Sequence, residues 1–341
     1  MCTSADLYNS CTQCPRKCKV HRSEGKNGFC GENSDLRIAF AGLHFGEEPL
    51  VTVFGGSGTI FFTGCTLRCA FCQNYQISQN GMGRKVEKDE FVQMCLTLQN
   101  AGAENINLVT GSHQIPLIAE FIKAAKAAGI TIPFCWNSSA YESVEMLELL
   151  KGLVTIWLPD LKTLDSKLSG ELFEAPDYPE VAAKAIKWMI ENNPLKIEEK
   201  PWFEGAKSAE WAEDGESRDK MLQGVIIRHL FLPGKFAETA DVLQWLKENA
   251  DGKSCISLMN QYTPVPFEEA EAELSKRKKA LSMIENRLVN EEENSDLIDL
   301  IEAYDFDFLF YQELTDDTSW LPDFRKSQPF SNKLALPLWH F

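Results

Sequence analysis

Three cysteines, Cys65, Cys69 and Cys72, stand at CxxxCxxC spacing in the stretch GCTLRCAFCQN. They follow the apolar run GTIFF, which reads as a strand. Cysteine thiolates hold iron–sulfur clusters, and a cubane needs four of them to close its coordination. Three close-set thiolates leave one iron without a protein ligand, and such an iron can take a substrate or cofactor. Zinc sites usually pair one CxxC with a distant partner pair. Bacterial ferredoxins use CxxCxxCxxxCP. Neither pattern fits Cys65 to Cys72.

A second set, Cys11, Cys14, Cys18 and Cys30, lies in CTQCPRKCKVHRSEGKNGFCG. Four thiolates make a closed ligand set, suited to a structural zinc or an auxiliary iron–sulfur cluster. The spacing does not separate the two, and His21 is an alternative ligand. Cys2, Cys95, Cys135 and Cys255 have no such company, and Cys95 and Cys135 read as core residues.

The elements that must position these residues are legible as apolar runs. GTIFFT, NINLVT, TIPFCWN, LVTIWLPDLK, GVIIRHLFLPG and SCISLMNQY read as six strands with helical segments between them. Strands alternating with helices imply a parallel sheet covered by helices, an α/β fold. No seventh unit is expected. Residues 195–221, polar and acidic with Trp202, Phe203 and Trp211, read as an insertion. Residues 267–303 read as a surface helix or two. The proline- and aromatic-rich end reads as a tail anchored on the barrel. The expected organisation is a cysteine-rich metal-binding segment (1–50), a barrel (51–265) and a C-terminal helical and irregular extension (266–341).

At the cysteine triplet the sequence resembles the radical S-adenosylmethionine (SAM) enzymes. The resemblance implies a partial (β/α)6 barrel, open on one side. It also implies a 4Fe–4S cluster whose open iron chelates SAM and cleaves it to a 5′-deoxyadenosyl radical that abstracts hydrogen. CxxCPRxC, LHFGEEP, GSGTIFFTGC, CQNYQIS, NINLVT, PDLK and SLMNQY are similar to a branch described as homologues of pyruvate formate-lyase activating enzyme. That branch implies an oxidoreductase of activating-enzyme type, a reductant such as flavodoxin or ferredoxin, and a protein substrate carrying a glycyl radical site. Radical modification of another protein or a small molecule is the alternative. A non-catalytic two-cluster electron carrier is a further reading.

Ligands of parallel barrels collect at the carboxyl ends of the strands. There the resemblance assigns Phe71 to the adenine, and Thr110, Gly111 and Ser112 to the SAM amino group. Asn137 and Ser138 suit ribose hydroxyls or the SAM carboxylate, although Ser138 or Ser139 also suits a helix N-cap. Asp160 and Lys162 share one strand face, and Lys162 is expected on the SAM carboxylate or in an ion pair with Asp160. Arg228, inside an apolar strand, needs an anion, and the methionyl carboxylate would serve. His113 and His229 read as structural, Asn74 as a brace of the cysteine loop, and Gln261 and Tyr262 as substrate-side groups.

The 341 residues carry a net charge of −16, which argues against nucleic-acid binding. No run of 18 apolar residues is present, so no membrane span is expected. The N-terminal stretch lacks the pattern of a secretory signal. Clustered cysteines in a large chain fit metal ligation in a reducing cytoplasm better than a disulfide framework.

Overall fold

The structure is a computed structural model that describes residues 4–202, 216–330 and 334–341. Eleven strands form one sheet among the described residues. They are β1 (Arg37–His44), β2 (Ser57–Phe62), β3 (Arg84–Lys85), β4 (Ile106–Val109), β5 (Phe134–Ser138), β6 (Ile156–Pro159), β7 (Lys196–Lys200), β8 (Arg218–Leu230), β9 (Cys255–Met259), β10 (Leu309–Tyr311) and β11 (Ala335–His340). The order is β10-β9-β8-β6-β5-β4-β2-β1-β11, with β3 on β1 and β7 on β8. From β2 to β10 neighbouring strands along this path run parallel. β1 lies antiparallel to β2, and β11 antiparallel to β1. The sheet stays open between β10 and β11, so this is a partial barrel.

All six expected strands are present, and their alternation explains the layers. Ile60, Leu108, Trp136, Trp157, Ile227 and Ile256 face the helices in one large core. The opposite faces line the lumen. There Cys135, Ile156, Leu158, Ile226 and Cys255 pack with Leu50 and Val51 of the short helix Pro49–Thr52. Phe40, Phe61 and Val109 pack with Phe324 and Phe330 of the C-terminal tail. The same inward parity puts Asn107, Asn137, Arg228 and Ser257 inside.

Three expectations need correction. A seventh parallel strand exists: β10 pairs with β9 from Leu309 to Tyr311, after the helices Glu271–Leu281 and Glu291–Tyr304. It was missed because its three residues are too short for any period to show. The fifth expected strand begins six residues early, at Arg218 rather than Gly224, because KIEEK (β7) pairs antiparallel with it. Lys200 and Lys220 of this hairpin converge on the buried Glu104 at 2.5 and 3.0 Å. This opposite-charge pairing let a polar stretch form strand. The insertion's aromatics Phe203 and Trp211 lie outside the described residues. Finally, the helix Val144–Leu147 has Ser143 at its N-cap, whereas Ser138 ends β5 and its Oγ accepts a bond from Ala140 N–H at 3.2 Å.

The tail therefore reaches both edges of the sheet, as β10 and as β11. Phe324 is fully buried, with ring centroids 5.8 Å from both Phe61 and Phe330. Replacing Phe324 with alanine should cost about 3–5 kcal/mol. Anaerobic urea unfolding measures this, and an unchanged midpoint would show that the tail does not pack in the lumen.

Candidate metal and cofactor site

The cysteine loop leaves β2 through Gly64, whose φ of +86° favours glycine. A Cβ there would also meet Glu32 and, at 2.8 Å, the Cys30 carbonyl. This close approach lets Cys65 N–H donate to Cys30 O at 3.3 Å. Leu67 N–H donates to Cys65 Sγ at 3.3 Å, and Ser78 Oγ lies 3.3 Å from Cys72 Sγ. Gln79 Nε2 donates to Cys69 O at 3.1 Å. Asn74 does not brace the loop with its side chain: its Oδ1 is buried without a partner. Residues outside the barrel carry that task. Arg277 donates to Ala70 O at 3.0 Å and Gln79 Oε1 at 3.0 Å, and its guanidinium lies 3.9 Å over the Phe267 ring. Glu269 holds Arg277 in place at 2.5 Å.

The three cysteines are half-buried, and Cys65 and Cys69 pack against the main core. Burial pushes the Cys69 thiol up to about 12, with Lys162 opposing, and raises Cys65 as well. Thiols in such a place stay protonated unless a metal takes them, and metal ligation requires the thiolate. The soft three-thiol donor set, with N–H and O–H groups aimed at sulfur and an ammonium nearby, fits an iron–sulfur cluster. Among the described residues no three Cys, His, Asp or Glu side chains converge on one point as ligands of a single ion would. Thiolates on a cubane each take a different iron, so the cluster makes no such demand.

At the neighbouring strand ends the structure gathers Asn137, Asp160, Lys162 and Arg228. Lys162 Nζ pairs with Asp160 Oδ2 at 2.7 Å. Arg228 reaches Asp160 Oδ1 at 2.8 Å, Asn137 Oδ1 at 2.6 Å and Glu47 Oε2 at 3.4 Å. Burial works against the Asp160 carboxylate, but Arg228 and then Lys162 outweigh it and hold its carboxyl below the usual range. Burial raises Glu47 despite Arg228. The anion that Arg228 requires is thus supplied within the chain. Glu47 and Glu48 had appeared only as part of LHFGEEP. Charged residues before a proline, between two apolar strands, were the signal that could have marked them.

Thr110 adopts φ +63°, and its N–H donates to Asn137 O at 2.9 Å. A Cβ on Gly111 would come within 2.7 Å of Trp136, so the turn presses on the helix-side core. Ser112 donates to Glu142, which also accepts from Trp136 Nε1 at 3.3 Å. Glu142, another residue the sequence did not reveal, is buried with its other oxygen unpartnered, and burial raises its pKa. Phe71 packs edge-on against Phe173 and Tyr262, with centroids 5.9 and 6.0 Å away. Tyr262 donates to Asn286 at 2.5 Å and Gln261 to Glu313 O at 2.9 Å, so both are tied to the C-terminal extension. His229 is buried on the helix side between Leu161 O (2.7 Å) and Thr239 Oγ1 (2.9 Å).

Cys11, Cys14 and Cys30 are buried and Cys18 half-buried, all as free thiols. They are electrostatic neighbours, for Cys30, Cys11 and Cys18 all act on Cys14, whose thiol burial pushes up to about 12. They are not arranged around one point as a preformed single-ion site. His21 is exposed beside Glu24 and does not join them. His113 is fully buried, and burial lowers its pKa to about 3. Its carbonyl accepts bonds from Gln13 and Arg22 of the cysteine-rich segment.

Residues 59–196 match the family model of the Radical SAM superfamily. The chain is 27% identical over 313 residues to the uncharacterized protein MJ0674 of Methanocaldococcus jannaschii, covering 89% of this chain and 78% of that protein. Among solved structures, Streptococcus suis SuiB bound to S-adenosylmethionine aligns with TM-score 0.44 at 15% identity, over 74% of this chain and 45% of SuiB. A domain of pyruvate-formate lyase-activating enzyme from Bacteroides vulgatus aligns with TM-score 0.36 at 13% identity, over 58% of this chain and 91% of that domain. The chain thus spans less than half the length of SuiB. No helix among the described residues is long and apolar enough to cross a membrane.

Substituting Arg228 with methionine should cost about 3–5 kcal/mol, because it leaves Asp160 with Lys162 alone and takes from Glu47 and Asn137 the guanidinium they face. Denaturant unfolding of the substituted and parent proteins checks this. A loss below about 1 kcal/mol, the worth of an exposed pair, would show that the network is solvated.

Proposed function

Because the chain carries a radical SAM domain, we propose that Cys65, Cys69 and Cys72 hold a 4Fe–4S cluster that binds SAM at its open iron. The observation that carries this reading is three thiols gathered at the carboxyl end of a parallel strand, with the Lys162 ammonium acting on Cys69 and Cys65. When bound, the cluster and SAM supply a one-electron cleavage that yields a 5′-deoxyadenosyl radical for hydrogen abstraction.

The chain's own residues bind, orient and exclude water. Phe71, wedged between Phe173 and Tyr262, offers a ring edge for the adenine. Lys162 faces the loop and would meet the SAM carboxylate. Thr110, Gly111 and Ser112 turn at the end of β4, where the amino group would lie. Asn137 and Asp160 are held by Arg228, which therefore acts on SAM through them. The packing of Phe324 and Phe330 in the lumen supports exclusion of water from one side of the site.

Cys11, Cys14, Cys18 and Cys30 are read as ligands of a second metal, zinc or an auxiliary cluster. Their burial, free state and mutual proximity support this reading. A flavodoxin or ferredoxin would supply the electron. The substrate is a protein or a small molecule, and activation of a glycyl radical enzyme is one form of that activity. A cytoplasmic setting suits free thiols and an oxygen-sensitive cluster.

Anaerobic reconstitution with iron and sulfide, followed by dithionite and SAM, should release 5′-deoxyadenosine, and Cys69→Ser should abolish the release. A cluster that forms but leaves SAM intact would favour the electron-carrier reading. Iron absent from the Cys65–Cys72 loop would end the proposal.

A further inference from the structure

Arg22 is fully buried in the cysteine-rich segment, within the 3-10 turn Arg22–Glu24. Its Nε and Nη2 donate to Asn33 O at 3.1 and 2.6 Å. Its Nη1 donates to His113 O at 2.8 Å and lies 3.6 Å from Cys11 Sγ. The guanidinium also sits 4.8 Å from the centre of the Tyr8 ring. These partners take four of its five N–H groups, but none carries a full negative charge. Among the described residues no carboxylate pairs with it. Glu32, a buried acid of the same segment, pairs with Arg37 at 3.1 Å.

A guanidinium cannot shed its proton, and a buried charge is costly unless an opposite charge compensates it. The thiols of Cys11, Cys18 and Cys30 interact with Arg22, and Cys14 is an electrostatic neighbour of all three. Four thiolates around a zinc ion leave two negative charges, and four thiolates around an oxidised 4Fe–4S cluster leave the same two. Either centre would supply the missing counter-charge.

We propose that Arg22 is the buried counter-ion of a doubly negative four-thiolate centre formed by Cys11, Cys14, Cys18 and Cys30. The inference rests on those four thiols being metal ligands, as proposed above. It gives the segment a role toward the rest of the fold. Arg22 and Gln13 hold the carbonyl of His113 beyond β4, and the carbonyl of Cys30 accepts the N–H of Cys65. Arg22 is thus a positioning residue that links the charge of the N-terminal centre to the turn at 110–113, while Cys30 links the same centre to the cysteine loop.

The test uses the full chain carrying Cys65→Ser, Cys69→Ser and Cys72→Ser, so that only the N-terminal centre loads. It is loaded anaerobically with zinc, or with iron and sulfide, and metal release to a chelator is timed. Loss of an outer partner of a metal ligand weakens metal binding about 10–100-fold. Arg22→Gln should therefore release metal about 10–100-fold faster than the parent. Arg22→Lys keeps the charge but not the fork, and should fall clearly nearer the parent than Arg22→Gln. Circular dichroism establishes that each variant is folded. If Arg22→Gln does not fold, Arg22→Lys decides: release as fast as from Cys14→Ala overturns the proposal. Equal release from the parent and Arg22→Gln overturns the counter-ion role alone. A parent that binds no metal removes the four-thiol reading and this inference together.

Discussion

Buried charge inside the barrel constrains this structure more than any other feature. Arg228 sits on the inward face of β8, two residues after the buried, apolar Ile226 on the same face. Its position is tenable because Asp160 directly follows β6, Asn137 is the penultimate residue of β5, and the loop before Pro49 delivers Glu47 into the lumen. Remove any one of these and the others are left with unbalanced charge or unpaired polar atoms in a low-dielectric interior. The network therefore fixes how three strand ends and one loop sit relative to each other. Lys162 joins it through Asp160 and lies beside the cysteine loop.

The cysteine loop itself is short and has little structure of its own beyond the helix Tyr75–Ser78. It is held from outside the barrel on several sides. The cysteine-rich segment meets it at Cys30. The helix Glu271–Leu281 meets it through Arg277. The tail meets it through Gln76, which donates to Asp323 at 3.1 Å and accepts from Phe324 N–H at 2.7 Å. A groove of about 460 Å³ runs along its outer side, lined by residues of both charges such as Arg68, Glu174 and Lys276. Preorganising a ligand loop in this way places its thiolates without requiring the cluster to order them.

The sequence made the triplet, the six strands and the helix–strand alternation visible, because thiol spacing and apolar period are local properties. The pairing of Asp160 with Lys162 was also open to reading, since residues two apart on a strand share a face. Glu47, Glu142 and the bonding of Asn137 and Asp160 to Arg228 were not. Glu47 meets Arg228 across 181 residues and Glu142 meets Ser112 across 30, and no local pattern encodes such pairings. β10 and the β7–β8 hairpin were hidden for a similar reason: their pairing depends on an edge supplied elsewhere, not on their own hydrophobicity.

What the chain determined by itself is the chemistry available: three thiols at CxxxCxxC, four more near the start, and parallel strands to carry them. Only the tertiary structure decided which charges meet. It gave Arg228 two carboxylates from its own chain, left Arg22 buried among thiols without one, and set Cys30 against Cys65. Ligand identity is written in residue type and spacing. Charge balance in an interior depends on which distant segments pack together, and that is a property of the folded whole.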